Sequence, residues 1–399
     1  MQKQLRRRPL LLVLYLYIIL ACGVLFPNDL EDEGEEALPV PQGIESPSAY
    51  VQTSPTPLAT TPQKIIPPSQ QQIYHGIFPG GISGEESDIS LKDLQTYEQL
   101  AGKTAAWVYF SHNWYEGHDF PLDTANWIRD SGSVPYIRLM LRSSSQQGQP
   151  EPLYTLDAIL SGEFDADLHR WAQSARLFGS PLLAEFGTEV NGEWFPWNGT
   201  WHGGGRLDGY GDNNYPDGPE RFRDTYRHIV EICRSEQADN ITWVFHVNNA
   251  DIPENAWNQL ENYYPGEEWV DWVAVSVYGA QTPMETEWQT FEEMMDKVYP
   301  RLTELAVDKP IIVSEFGVTA NNPHGDQAQW ADLALQSLIE RRWEKVIGFS
   351  WWNEGWQNDD NPAHDTNMRL QDNPALAEVF WRRVGQDDHV LGRLKLSPP

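Results

Sequence analysis

Two glutamates lie where short apolar segments open into glycine-containing loops, a position from which carboxyl groups can do acid–base and nucleophilic chemistry. Glu189 belongs to the segment AEFGTEVNGEWFPW, residues 184–197, and Glu315 belongs to the segment IIVSEFG, residues 311–317. Hydrolysis of a glycosidic bond with retention needs two carboxyl groups about 5 to 5.5 Å apart, one protonated to assist the leaving oxygen and one ionised to attack the anomeric carbon. Either glutamate alone is more often a helix cap or part of a surface ion pair, so the hypothesis requires both to reach one pocket.

The elements that must position these side chains are eight apolar segments that alternate with amphipathic stretches. The strand candidates are residues 73–78, 105–110, 134–139, 181–186, 241–246, 272–277, 310–314 and 346–351, and residues 164–177 and 222–233 have a helical apolar period. This alternation is typical of a parallel sheet with crossover helices. It predicts an α/β fold, a (β/α)8 TIM barrel whose catalytic groups lie at the carboxyl ends of the strands. A doubly wound open sheet is the alternative, although no GxGxxG or Walker sequence follows an early strand.

The two glutamate segments also carry a family resemblance. EVNGEWF together with SEFG is a specific pair of motifs, and residues 74 to about 352 resemble glycoside hydrolase family 26 in order and spacing. The best-known members of that family are endo-β-1,4-mannanases, and it belongs to clan A of the barrel glycosidases, whose glutamates lie on strands four and seven. The resemblance implies that Glu189 is the general acid/base and that Glu315 is the nucleophile.

The resemblance further implies which residues surround the two carboxyl groups. Tyr278 matches the family tyrosine that hydrogen-bonds the nucleophile. Trp194 and Trp351 match the aromatic residues of the cleavage subsite, with Trp352 as the alternative counterpart of Trp351. An indole face can carry the apolar face of a sugar ring. Other substrate-binding candidates are Asn191, His112 and Trp114.

Two positions depart from the family pattern. The family has histidine immediately before the acid/base and arginine four residues before it, whereas this chain has Thr188 and Glu185. Glu185 should point into the barrel like Glu189, and a buried carboxylate needs a partner. We therefore expect an ion pair between Glu185 and Arg138 on the neighbouring strand. The missing histidine leaves β-glucan or xylan open as substrates beside mannan.

Composition excludes several classes of function. The chain of 399 residues has 58 Asp+Glu against 28 Lys+Arg, a formal net charge of −30, which repels phosphate backbones and argues against nucleic-acid binding. Its two cysteines, Cys22 and Cys233, provide neither a disulfide framework nor a cysteine-based metal cluster, and the ten histidines show no HExxH spacing. We expect no cofactor and no metal. The 18 tryptophans suit a sugar-binding surface, although a Trp-rich core is the more common explanation of such a count taken alone.

The amino-terminal residues predict export and tethering. Residues 1–27 place a basic flank before an uncharged stretch from residue 9 to residue 26, the pattern of a signal segment. The tetrapeptide ILAC at residues 19–22 resembles a bacterial lipobox, which makes Cys22 the candidate lipid anchor; an uncleaved membrane helix is the alternative. Residues 28–72 are rich in Pro, Ser, Thr and acid, so we expect a linker that holds one catalytic domain, residues 73–399, outside the cytoplasm, at the cell surface or in the periplasm.

The leading hypothesis is a retaining, endo-acting glycosidase of β-linked polysaccharide, with β-1,4-mannan or glucomannan as the first substrate. A β-glucanase or xylanase of the same fold is the alternative. A non-catalytic polysaccharide-binding surface protein is a hypothesis of a different class, but such a protein does not need two carboxylates that repel each other. The expected partner is the polysaccharide, the membrane is contacted only through the anchor, and the chain is expected to be a monomer.

Overall fold

The computed structural model describes residues 63–81 and 88–397. Its main sheet contains nine strands, of which eight form the barrel: β1 Ile73–Phe78, β2 Trp107–Asn113, β3 Val134–Met140, β4 Leu182–Phe186, β5 Ile241–Asn248, β6 Trp272–Tyr278, β7 Ile311–Gly317 and β8 Val346–Trp352. The ninth, the two-residue strand Val390–Leu391, pairs in parallel with the start of β1. Each barrel strand pairs with the next one along the chain, and β1 also pairs with β8, residues 74–78 lying opposite residues 348–352. The sheet is therefore closed, and the predicted TIM barrel is confirmed.

Helices cover the outside of the barrel. They are α1 Leu91–Ala101, α2 Leu122–Ser131, α3 Leu156–Leu160, α4 Asp165–Phe178, α5 Asp217–Ser235, α6 Phe291–Leu305, α7 Gln327–Ile339 and α8 Pro374–Phe380. Their ends carry local signals: Thr290 and Glu293 form a capping box at the start of α6, and Ser90 caps α1. The connection from β5 to β6 consists of two 3₁₀ turns, Ala256–Asn258 and Leu260–Tyr263, in place of an α-helix.

The eight predicted strands all occur, and most of the differences lie at their carboxyl ends. The prediction ended β2 at residue 110, β5 at 246 and β7 at 314, whereas the structure extends them to Asn113, Asn248 and Gly317. The apolar pattern stops early because these last residues include polar side chains at the mouth of the barrel. Backbone hydrogen bonding between strands does not depend on side-chain polarity, so each strand extends beyond the apolar run that predicted it.

A tryptophan fills the barrel interior on the amino-terminal side of the site. The indole nitrogen of Trp107, on β2, donates to Ser350 Oγ on β8 at 2.7 Å. A Cβ on Gly76 or on Gly348 would come within 2.1 Å or 2.3 Å of this indole, so glycine at both positions makes room for the ring. Trp107 is wholly buried, so its ring fills the barrel interior beneath the carboxyl ends of the strands.

The two ends of the described chain are joined. Ile65–Ile66 forms a short antiparallel pair with Lys395–Leu396, and Gln63 Nε2 donates to the Ser397 carbonyl at 3.2 Å. The folded domain thus includes residues 63–72, which composition assigned to the linker. The predicted leader, Cys22 and the rest of the linker lie outside the described residues. Among the helices of the described part, none is long and apolar enough to cross a membrane.

Candidate active site

A cleft of about 1270 Å³ opens at the carboxyl ends of the strands. It brings together four residues that the sequence predicted for one site, namely Glu189, Trp194, Tyr278 and Glu315. Polar and aromatic side chains from other strands and loops complete the lining, among them Arg138, Asn248, Asn321, Trp352, Glu354 and Trp356. The loops after β4 to β8 supply most of this lining, which is the arrangement expected at the catalytic face of a barrel.

Glu315 lies near the end of β7 and is 4% exposed. The Tyr278 phenol donates to its Oε2 at 3.0 Å, the Tyr109 phenol lies 3.0 Å from its Oε1, and Arg138 Nη2 lies 3.7 Å from the same oxygen. Burial raises the pKa of Glu315 to about 7; the Arg138 guanidinium opposes this rise and the Glu189 carboxylate adds to it. The surrounding phenols and cation favour the ionised carboxylate that a nucleophile requires.

Glu189 follows β4 by three residues and has a positive φ of 49°. This left-handed conformation costs a residue other than glycine about 1 kcal/mol or more, and such strain is concentrated at functional sites. Two donors hold its carboxyl group: the Trp194 indole donates to Oε2 at 2.7 Å and the Asn248 amide to Oε1 at 3.1 Å. A Cβ on Gly192 would come within 2.2 Å of the Trp194 ring, so glycine there lets the indole reach Glu189.

The cleft tryptophan at the end of β8 is Trp352, and the assignment to Trp351 is corrected. Trp351 is wholly buried on the outer face of the barrel, where its ring packs against Phe316 at 5.1 Å and its indole donates to the Met368 carbonyl. Trp352 points the other way, stacks on Phe78 at 3.8 Å and lines the cleft. Successive residues of a strand face opposite sides, so only one of the pair can reach the site.

Three further candidates do not line the cleft. Asn191 is wholly buried; its amide donates to the carbonyls of Asn248 and Ala250, and its Oδ1 accepts from the Asn248 backbone N–H, so it positions the loop that carries Asn248. Trp114 is 1% exposed and packs on His118 and neighbouring aromatic rings. His112 is buried too, and burial lowers its pKa to about 4.

The expected Arg138–Glu185 ion pair is wrong, although the two residues are neighbours in register across β3 and β4. Glu185 instead pairs with His246 Nδ1 at 3.0 Å and also accepts from the Tyr136 phenol. The Arg138 guanidinium extends towards the cleft and lies beside Glu315. Register placed both charges inside the barrel, but side-chain length let each reach a different strand.

Sequence reasoning missed two residues that contact the glutamates. Tyr109 lies on β2 with Trp107 and Ser111, so period-two alternation could have placed its phenol inside the barrel. Asn248 is the last residue of β5, and a polar residue at a strand's carboxyl end is the signal that drew attention to both glutamates. The predicted strand stopped at residue 246, which left Asn248 in an unassigned loop.

Comparisons with known proteins agree with this geometry. Residues 159–340 match the model of Glycosyl hydrolase family 26. Endoglucanase H of Acetivibrio thermocellus is 26% identical over 294 residues, which is 73% of this chain and 29% of that protein. Mannan endo-1,4-beta-mannosidase A and B of Caldalkalibacillus mannanilyticus is 26% identical over 174 residues, 43% of this chain and 28% of that protein. The chain thus spans less than a third of the length of these two curated relatives.

The fold also has solved relatives. The structure of the Bacillus subtilis mannanase BCman superimposes with a TM-score of 0.52 at 19% identity, covering 82% of this chain and 88% of that one. At this identity the similarity concerns the fold, and it agrees with the closed barrel described above.

Proposed function

We propose that the chain, whose residues 159–340 match the model of Glycosyl hydrolase family 26, hydrolyses β-linked polysaccharide as a retaining, endo-acting glycosidase. The observation that carries this proposal is the pair of buried glutamates, Glu189 and Glu315, which come from β4 and β7 and line one cleft. The cleft is open and lined with indole rings, which suits an extended sugar chain.

In the first step, the ionised Glu315 carboxylate attacks the anomeric carbon while Glu189 donates its proton to the departing glycosidic oxygen. The bond from the anomeric carbon to the leaving sugar breaks, and an ester bond to Glu315 forms. Tyr278 donates to the Glu315 oxygen Oε2, and this contact fixes the carboxylate plane for the attack. Trp194 and Asn248 hold Glu189 in its left-handed loop conformation, so its carboxyl group faces the same cleft.

In the second step, Glu189 takes a proton from water, and the water oxygen attacks the anomeric carbon from the face that the leaving sugar vacated. The Glu315 ester breaks and its carboxylate re-forms beside the Tyr278 phenol and the Arg138 guanidinium. The charge that develops on the departing carboxylate is therefore stabilised by groups already in place.

The two roles predict different behaviour of two alanine variants. A substrate with a good leaving group does not need the acid, so Glu189→Ala should form and accumulate the glycosyl-enzyme from an activated aryl glycoside, with azide restoring turnover as the β-glycosyl azide. Glu315→Ala should be inactive on aryl glycoside and polysaccharide, and azide should yield at most the α-glycosyl azide. Inverted anomers among early products, seen by NMR, would contradict the retaining mechanism. Near wild-type polysaccharide hydrolysis by Glu315→Ala would contradict the nucleophile assignment.

For the substrate, we propose β-1,4-mannan or glucomannan, as the family resemblance implies. A β-glucan is the second candidate, since the relative named endoglucanase covers 73% of this chain and the mannosidase relative covers 43%. Release of reducing sugar from mannan, glucomannan, mixed-linkage glucan and xylan separates these substrates. Undetectable mannan cleavage beside strong activity on another polysaccharide would reject the mannan assignment. Absence of activity on all four, with retained binding, would favour a binding protein.

We also propose that the enzyme works outside the cytoplasm, tethered through its amino-terminal segment. Support comes from the sequence alone: the basic flank, the uncharged stretch, the ILAC tetrapeptide ending at Cys22 and the proline-rich linker. A polysaccharide too large to enter a cell is best degraded by an enzyme held at the surface.

A further inference from the structure

A buried chain of polar side chains runs from Glu315 into the barrel, and the mechanism above does not use it. The Tyr109 phenol oxygen lies 3.0 Å from Glu315 Oε1 and 2.5 Å from Glu185 Oε1. Glu185 in turn accepts from His246 Nδ1 at 3.0 Å. Tyr109, Glu185 and His246 are all wholly buried and none of them lines the cleft. Glu185 and His246 can therefore influence bound sugar only through the residues between them and the cleft.

The phenol at the centre of this chain serves two acceptors with one hydrogen. A tyrosine hydroxyl carries a single hydrogen, so Tyr109 donates either to Glu185 or to Glu315, not to both at once. Glu185 retains other donors when the phenol turns away: the Thr188 hydroxyl and His246 at Oε1, and the Tyr136 phenol at Oε2. When Tyr109 changes its acceptor, both carboxylate oxygens of Glu185 thus still accept a hydrogen bond.

We propose, resting on the function proposed above, that the Glu185–His246 ion pair is a positioning element that holds Tyr109 between two alternative acceptors. The phenol donates to Glu315 while that carboxylate is ionised, and it turns to Glu185 when Glu315 carries the sugar as an ester. The O–H bond of Tyr109 stays intact throughout, and only its acceptor changes. The proton that reaches the leaving oxygen comes from Glu189. Glu185 and His246 are positioning residues and do not touch the substrate.

The groups that face Glu185 come from every element packed around it. They are Tyr109 on β2, Tyr136 and Arg138 on β3, Thr188 after β4, His246 on β5, Glu315 on β7 and Tyr226 on α5. Burial acts to raise the pKa of Glu185, but the charge and hydrogen bond of His246, the charge of Arg138 and the hydrogen bond of Thr188 together lower that pKa to about 2. Burial likewise acts to lower the pKa of His246, and Glu185 raises it instead. Each of the two residues therefore stabilises the charged form of the other.

This pairing makes the effect of one substitution predictable. Glu185→Gln removes the negative charge and, with it, the main cause that raises the pKa of His246. His246 then releases its proton, so the pair carries no net charge either before or after the substitution. The electrostatic potential that this pair produces at Glu315 therefore changes little. A neutral amide oxygen is a weaker acceptor than a carboxylate, so residue 185 competes less well for the Tyr109 hydrogen, and donation to ionised Glu315 gains in relative stability. Ionised Glu315 is then favoured, and its titration should move to lower pH by about one unit.

A second variant tests the same competition in the opposite direction with little risk to the fold. Tyr136→Phe removes a donor from Glu185 and preserves the ring packing. Glu185 then attracts the Tyr109 hydrogen more strongly, and Glu315 should titrate at higher pH. In a Tyr109→Phe background neither substitution should move the titration of Glu315, because the link between the two carboxylates is gone. Tyr226→Phe is the matched control, since that buried phenol donates to the Val244 carbonyl and should leave the titration unchanged.

The direct measurement is a ¹³C NMR titration of the Glu315 carboxyl carbon in the full chain, assigned by its loss in Glu315→Gln. The titration needs no substrate and can be measured whether or not the protein is active. Absence of glycosidase activity would therefore reject the proposed function without affecting this test. Where turnover is present, the acid limb of kcat/KM should shift in parallel. An unmoved Glu315 titration in folded Glu185→Gln and Tyr136→Phe overturns the proposal, as does a shift that persists without Tyr109. If Glu185→Gln does not fold, Tyr136→Phe decides alone.

Discussion

Arg138 lies beside the proposed nucleophile, and its removal should change the pH dependence of the proposed activity. Its guanidinium is 1% exposed and lies 3.7 Å from Glu315 Oε1. At this distance and an effective dielectric constant of about 20, Coulomb's law gives an attraction of about 4 kcal/mol, equivalent to about 3 pH units. Tyr109 and Tyr278 still donate to the carboxylate after the charge is removed. We therefore expect a smaller shift, about 1 to 2 pH units.

The variant is Arg138→Met, which keeps much of the side-chain length and removes the charge. Burial already raises the pKa of Glu315 to about 7, and the loss of Arg138 raises it further. Because the nucleophile must be ionised, the acid limb of kcat/KM should move upward by about 1 to 2 pH units, which is about a 10- to 100-fold loss on the acid side. At alkaline pH the activity should recover in part, because hydroxide removes the proton that Arg138 otherwise excludes.

Two controls separate this effect from general damage. Arg138→Lys keeps a cation and should show a smaller shift than Arg138→Met. Arg142→Met removes another buried guanidinium, one that donates to Asn113 Oδ1 at 2.9 Å and does not line the cleft, so the acid limb should stay where it is in the wild type. Thermal unfolding of each variant reports stability separately. A wild-type pH profile for Arg138→Met would refute the reasoning.

Three other expectations follow from the same structure and from the leader. Since folding raises the pKa of Glu315 from 4.5 to about 7, wild type should lose about 3 kcal/mol of unfolding free energy relative to Glu315→Gln as pH rises through this window, as urea unfolding can show; a constant difference would contradict it. Trp352→Phe should lower kcat/KM about tenfold, whereas Trp351→Phe should lower Tm and leave kcat/KM unchanged. The reverse pattern would indicate that Trp351, and not Trp352, is the tryptophan of the cleft. Metabolic lipid labelling should tag wild type but not Cys22→Ala; membrane retention of an unlabelled wild type would favour a helical anchor.

Local patterns of apolar and polar residues predicted most of the fold. Each barrel strand is buried on both faces, so it appears in the sequence as a short apolar run, and the intervening helices appear as amphipathic stretches. Chain order then placed Glu189 and Glu315 at the same end of the barrel, because all parallel strands present their carboxyl ends at one face. The same reasoning could not set the ends of β2, β5 and β7, where polar residues continue the ladder.

The identity of contacts depended on geometry that local patterns do not contain. Choosing between Trp351 and Trp352 required the exact strand orientation, since a shift of one residue exchanges the inner and outer faces. The partner of Glu185 required the reach of several side chains across the barrel: Arg138 is its neighbour in register, yet His246 from β5 makes the ion pair.

The sequence by itself determined the barrel, the end of it at which the cleft opens and the two glutamates that line this cleft, because these depend on periodicity and chain order. Only the tertiary structure decided the surroundings of those glutamates: Tyr109 between two carboxylates, Arg138 beside Glu315, and Trp194 with Asn248 on Glu189. These contacts join residues up to 206 positions apart. Side-chain packing in a closed barrel sets them, and no local rule encodes which of several inward-facing groups will touch.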